Sequence, residues 1–117
     1  MPYIDGYIIP VPKMNRDAYL EAARKIAPLF KEFGALKVVE TWGDDVPKGK
    51  TTDFYMAVKA SEEENVVFSW IVWPDKATRD AGWAKAMSDP RMGPGASPAP
   101  FDGKRMIFGG FEVILEI

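Results

Sequence analysis

Six segments in the order β-α-β-β-α-β predict an α+β fold for this chain, and three observations carry the prediction. Asn65–Trp73, NVVFSWIVW, is a β-branched and aromatic run with Ser69 as its only interior polar residue, the composition of a central strand buried on both faces. Met106–Ile117 reads as a long strand, with Ile107, Gly109, Phe111, Val113, Leu115 and Ile117 on one apolar face and Phe108, Gly110, Glu112, Ile114 and Glu116 on a mixed one. Two helix-like stretches, each opened by a capping residue, set the first and last strands apart from the middle two. This order is the ferredoxin-like (split βαβ) plan: an antiparallel four-stranded sheet with two helices on one face, the first and third strands central and the last pairing with the first.

The elements follow in turn. Tyr3–Val11 is the first strand, with Ile4 and Ile8 on one face and Tyr3, Asp5 and Tyr7 on the other; Pro10 and Pro12 should end it. Asn15 is placed to cap a helix, with Met14 and Tyr19 spaced for a hydrophobic staple. The helix carries Tyr19, Ala23, Ile26, Phe30 and Phe33 as an apolar stripe, meets Pro28 as a kink or break, and stops at Gly34. Leu36–Trp42 is the second strand and 43–52 a polar loop. Residues 53–60 fit a strand or one to two helical turns equally. Asp75 caps a second helix through about Ser88 that should bury Ala77, Ala81, Ala84 and Met87. Its central Gly82 costs roughly 1 kcal/mol against alanine, so this helix needs tertiary support. Residues 88–100 hold four prolines and two glycines, and a loop of that kind is usually functional or packs on a partner.

Composition narrows the function classes. At 117 residues one domain is expected, burying roughly two-thirds of its unfolded surface. A net charge of −2 gives no electrostatic footprint for nucleic acid or an anionic membrane. There is no apolar run of membrane-spanning length, and Pro2, Asp5 and Pro10 interrupt any signal-peptide pattern, so a cytoplasmic protein is expected. The absence of cysteine excludes thiolate nucleophiles, disulfides and cysteine-ligated zinc. The absence of histidine excludes the serine triad, histidine-ligated haem or metal, and the usual general base near neutral pH. Acid–base chemistry would fall to carboxylates and tyrosines.

Local motifs add little. Lys50-Thr51 after Gly49 suggests a phosphate loop, but five residues lie between Gly43 and Gly49 where four are needed, and Asp44-Asp45 would repel phosphate. The same acids, with Asp102, lack calcium-loop spacing, and no metal site is expected. An RNA-binding platform around Lys104, Arg105, Phe108 and Phe111 has the wrong glycine and aromatic order, and Asp5 and Glu112 would place negative charge on it.

With both helices on one face, the other sheet face is left open, and a mixed apolar face is rarely left to solvent. Asp5, Tyr7, Ser69, Phe108 and Glu112 are expected there, with either Glu40 and Trp42 or Val39 and Thr41. Packing two sheets face to face would cover it and can enclose a cavity. The candidate acids in that cavity are Asp5 and Glu112, whose pKa values a semi-apolar setting would raise. Tyr7, Glu40, Trp42, Ser69 and Phe108 are the candidate ligand-binding residues, with Arg91 and Arg105 available to hold an anionic group.

YIDGYIIPVP at 3–12, GDDVPKGK at 43–50, VVFSWIV at 66–72, DPRM at 89–92 and PFDGKRMIFGGFEVIL at 100–115 resemble the DUF1428 (YbaA-like) family across essentially the whole chain. The resemblance implies a dimeric α/β barrel, in which ferredoxin-like protomers form a homodimer sheet to sheet. At superfamily level it allows a cofactor-free monooxygenase or isomerase, with Asp5 or Glu112 handling a proton and no cofactor. The other expectation is a non-catalytic module that binds a metabolite, or binds a protein through Pro90–Pro100.

Overall fold

The computed structural model describes residues 1–92 and 99–117. Its elements are β1 (Tyr3–Pro12), α1 (Arg16–Glu32), β2 (Lys37–Glu40), α2 (Phe54–Ala57), β3 (Glu64–Trp73), α3 (Lys76–Ser88) and β4 (Ile107–Glu112). The sheet is antiparallel in the order β2-β3-β1-β4, which is the ferredoxin-like plan, with α1 and α3 on one side.

β1 and β3 pair over their full lengths, from Tyr3↔Trp73 to Pro12↔Glu64. β1 runs through Pro10 instead of ending there. β4 pairs only Tyr3–Ile8, so past Ile8 that side of β1 has no ladder to lose, and a proline without an N–H is tolerated. β2 is shorter than expected, with Thr41 and Trp42 outside the strand. The ambiguous stretch is helical: Asp53 accepts from the Met56 and Gly49 amides, capping the single turn of α2.

α1 continues through Pro28, with Tyr19 and Phe30 buried against the sheet. Asn15 precedes it without a capping bond; its side-chain amide donates instead to the Pro100 carbonyl, at 2.9 Å. Met14 is exposed, so no staple forms with Tyr19. Gly34 ends the helix region at φ +119°, a left-handed conformation that side chains with a Cβ rarely adopt.

α3 is capped by Asp75, which accepts from the Thr78 amide at 2.7 Å. It buries Gly82 and Ala86, while Ala77, Ala81, Ala84 and Met87 are exposed, which corrects the expected helix face. The reason is Trp73. Its indole, fully buried, packs on the helix backbone at Gly82, and the core forms around it from Phe30, Phe33, Ala35, Ile71 and Ala86. Burying a tryptophan removes roughly 150–250 Å² from water, which outweighs the helix propensity lost at one glycine.

Candidate functional site

Strand alternation assigns each side chain to a sheet face. Val38–Ile71–Asp5–Gly110 and Glu40–Ser69–Tyr7–Phe108 are cross-strand rows of one face. Lys37–Val72–Ile4–Phe111 and Val39–Trp70–Gly6–Gly109 are rows of the other. Asp5 donors come from α3, so the first pair of rows faces the helices. The expected orientation of the sheet is therefore reversed. The residues read as an open polar face do share a face, but it is the helix-covered one, and the open face is the apolar one.

Asp5 explains the reversal. It is 3% exposed and fully engaged: Oδ2 accepts from the indole nitrogens of Trp73 and Trp83, each at 2.9 Å, and Oδ1 accepts from Arg79 Nη2 at 2.8 Å and Nε at 3.0 Å. Arg79 also stands over the Tyr3 ring, 5.3 Å from its centroid. A carboxylate held by this many donors is a clamp between β1 and α3, not a free proton carrier. Glu112, two residues along the face opposite Tyr3, is exposed on the edge strand, and the two acids do not form a pair.

The remaining predicted residues separate by neighbourhood. Glu40 Oε1 accepts from the Tyr19 hydroxyl at 2.6 Å. Glu40 as a whole is exposed at the sheet edge, but its carboxyl reaches the Tyr19 hydroxyl of α1; loss of hydration raises its pKa, against the lowering effect of the Tyr19 and Ser69 hydroxyls. Burial and the nearby Asp5 charge push the Tyr7 phenol up as well, and Arg79 opposes them. Ser69 is buried between Glu40 and Tyr7 in the same row, and Phe108 stacks on Tyr7 with ring centroids 6.1 Å apart. Trp42 is half-buried against the Ile9, Val11, Tyr19 and Val67 cluster, with the Arg16 guanidinium over its ring.

The two predicted anion-holding arginines are both engaged in ion pairs within the chain. Arg91 bridges Glu32 at 2.6 Å and Asp89 at 2.7 Å, tying the turn after α3 to the end of α1. Arg105 makes a two-pronged pair with Glu64, 2.7 Å on each arm, and also donates to Asp102 and to the Lys59 carbonyl. That network fastens the segment entering β4 to the start of β3. The expected loop at 90–100 lies largely outside the described residues, apart from the turn at Pro90–Met92 and residues 99–100.

The open face holds a trough of about 770 Å³, within the range typical of small-molecule sites. Its floor is the facing pair Gly6↔Gly109, and the Phe111 ring lies across both glycines. Ile4, Ile8, Phe68, Trp70 and Ile107 form the sides, and residues 113–116 border one end. Tyr7, Phe108 and Glu112 are the predicted residues that reach its border. Phe111 is 62% exposed, and Phe68 and Ile107 are each 44% exposed. The signal for this site was present in the alternation of Met106–Ile117, where a wholly apolar face reads as core.

The profile of a family described as a protein of unknown function (DUF1428) matches residues 2–103. The chain is 61% identical over 116 residues to the uncharacterized protein YbaA of Escherichia coli K12, covering 99% of both, and the same holds for the Shigella flexneri protein of that name. Among solved structures it resembles a dimeric ferredoxin-like protein from an uncultured marine organism, at a TM-score of 0.59 and 14% identity over 100% of each chain. That likeness is one of fold. Among the described residues, no helix is long and apolar enough to cross a membrane.

Proposed function

The chain belongs to the DUF1428 family, and from that premise we propose that it acts as a homodimer, two copies packing their open sheet faces together, with the trough binding a small, largely apolar organic molecule. The observation that carries this reading is the apolar open face itself. A sheet has two faces to cover; here α1 and α3 cover one, and on the other α2 reaches only the Phe68 end, through Phe54. The molecule measures 38 × 38 × 20 Å, the proportions of two layers without a third. Its accessible surface is 7933 Å², where a compact monomer of this mass exposes roughly 6,400 Å². The surplus, roughly 1,500 Å², is of the size that one partner contributes to a stable homodimer interface. The fold neighbour from the marine organism is itself described as dimeric.

The volume of the trough, about 770 Å³ with the Phe111 ring already lying across its glycine floor, supports a ligand over solid packing. Among the described residues, the titratable side chains bordering the trough are Tyr7, Glu112 and Glu116, which favours binding of a neutral molecule over acid–base chemistry at this face. Nile red, a neutral apolar fluorophore, tests the binding. Saturable, blue-shifted emission that is lost in a folded Trp70→Glu variant supports the reading. A folded wild-type protein that leaves the dye in water contradicts it.

A second reading, a cofactor-independent isomerase, has one observation in its favour. The Glu40 carboxyl, oriented by Tyr19 and made more basic than an ordinary glutamate by desolvation, has the character of a general base. It would take a proton from one carbon of a carbon acid and return it to another, with no change in oxidation state. This reading moves the proton from Asp5 and Glu112 to Glu40, and it fails if Glu40 titrates with the ordinary glutamates.

A further inference from the structure

Beyond Glu112, residues 113–117 belong to no helix or strand and have no ladder partner. Ile114 is 90% exposed, Leu115 is 74% exposed, and Ile117 is entirely so. A segment this apolar gains nothing from standing in water, because its side chains forgo burial. Residues 113–116 border the trough, so the exposed segment and the exposed groove are neighbours on one surface.

We propose that residues 113–117 form an arm that crosses to the second protomer and lies along the partner's trough, so that each ligand pocket is closed by the other chain. This rests on the homodimer reading and adds to it which residues complete the site. A second copy of this chain is the fitting occupant for two reasons. The arm is continuous with the sheet face that the dimer covers, so one two-fold operation buries both arms and both troughs together. The arm of a second copy would also give the trough an apolar cover, since α1 and α3 lie on the far side of the sheet. A pocket built this way is incomplete in the monomer, and binding of an apolar molecule becomes coupled to dimerisation.

The lack of cysteine in the chain makes the test clean. A variant carrying both Leu115→Cys and Phe68→Cys is treated with a short bis-maleimide, and the products are separated under denaturing conditions. Arm exchange predicts linked pairs of chains; a product that migrates as a single internally linked chain overturns it. A second variant stops after Glu112. The arm proposal predicts a folded protein whose dimer dissociation constant rises by about tenfold or more and whose Nile red binding weakens in step. If the shortened protein dimerises as tightly as the full chain, the arm proposal falls while the sheet-to-sheet dimer stands. If the full chain is monomeric, the dimer reading fails first and takes the arm with it.

Discussion

The guanidinium of Arg79 reaches from α3 to the carboxylate of Asp5 at the centre of β1, with Nη2 2.8 Å from Oδ1. Together with the Trp73 and Trp83 indoles, this contact fixes which side of the sheet the helices occupy. Asp5→Ala leaves two indole N–H groups and a largely buried cation without their acceptor, and the expected loss is about 3–5 kcal/mol in urea unfolding. Asp5→Asn keeps an acceptor oxygen and should cost less. A stable, folded Asp5→Ala protein would mean that the carboxylate is not a clamp and is free for chemistry after all.

Gly82→Ala should destabilise, although alanine is the better helix former. A Cβ at Gly82 would stand 2.5 Å from the Trp73 ring and 3.1 Å from the Phe33 carbonyl, and neither can retreat from a filled core. Helix propensity favours alanine by roughly 1 kcal/mol, while overpacking costs about 1–3 kcal/mol. The net effect is a lowered thermal midpoint, readable by circular dichroism.

Glu64 gives the acid limb of the stability profile. Its two-pronged bond to Arg105 holds its pKa at about 2, from an ordinary 4.5, against desolvation. A carboxyl whose folded pKa is depressed adds stability above its unfolded pKa and loses it as pH falls through the folded one. The urea midpoint should therefore fall between pH 4.5 and 2, and Glu64→Gln should flatten that part of the curve while lowering stability at pH 7. An unchanged slope in the variant would assign the acid limb to other carboxylates.

Glu40 works in the opposite direction. Its raised pKa means that the folded state holds the proton more tightly, so its contribution to stability improves as pH falls through the folded value. Tyr19→Phe removes a hydrogen bond to the charged form and should raise the Glu40 pKa further, as followed by carboxyl carbon NMR. A lowered value in Tyr19→Phe would show that the hydroxyl does not stabilise the carboxylate.

Strand order and helix positions were legible in the sequence because they depend on period and caps: NVVFSWIVW, Asp75 and the alternation after Met106 each specify one element locally. The sheet's orientation was not legible. A wholly apolar face such as Ile107–Phe111 normally turns inward, and an aspartate on the opposite face normally turns out. Here the donors that make Asp5 burial favourable come from Trp73, Arg79 and Trp83, more than sixty residues away, so no local pattern announces them. The same long-range pairing consumed Arg91 and Arg105, which read as free cations until their acceptors at Glu32 and Glu64 were in view. Tyr19 was legible only as core; its hydroxyl became part of a site when β2 brought Glu40 beneath it.

The most direct test of the central claim is the molar mass of the untagged protein in solution by light scattering coupled to gel filtration, measured on wild type and on Phe111→Asp. The open-face dimer predicts twice the 13.1 kDa of one chain for wild type at micromolar concentration, and a single-chain mass with unchanged circular dichroism for Phe111→Asp. A wild-type mass of one chain, or a Phe111→Asp protein that remains dimeric, would show that the apolar sheet face is not where two copies meet.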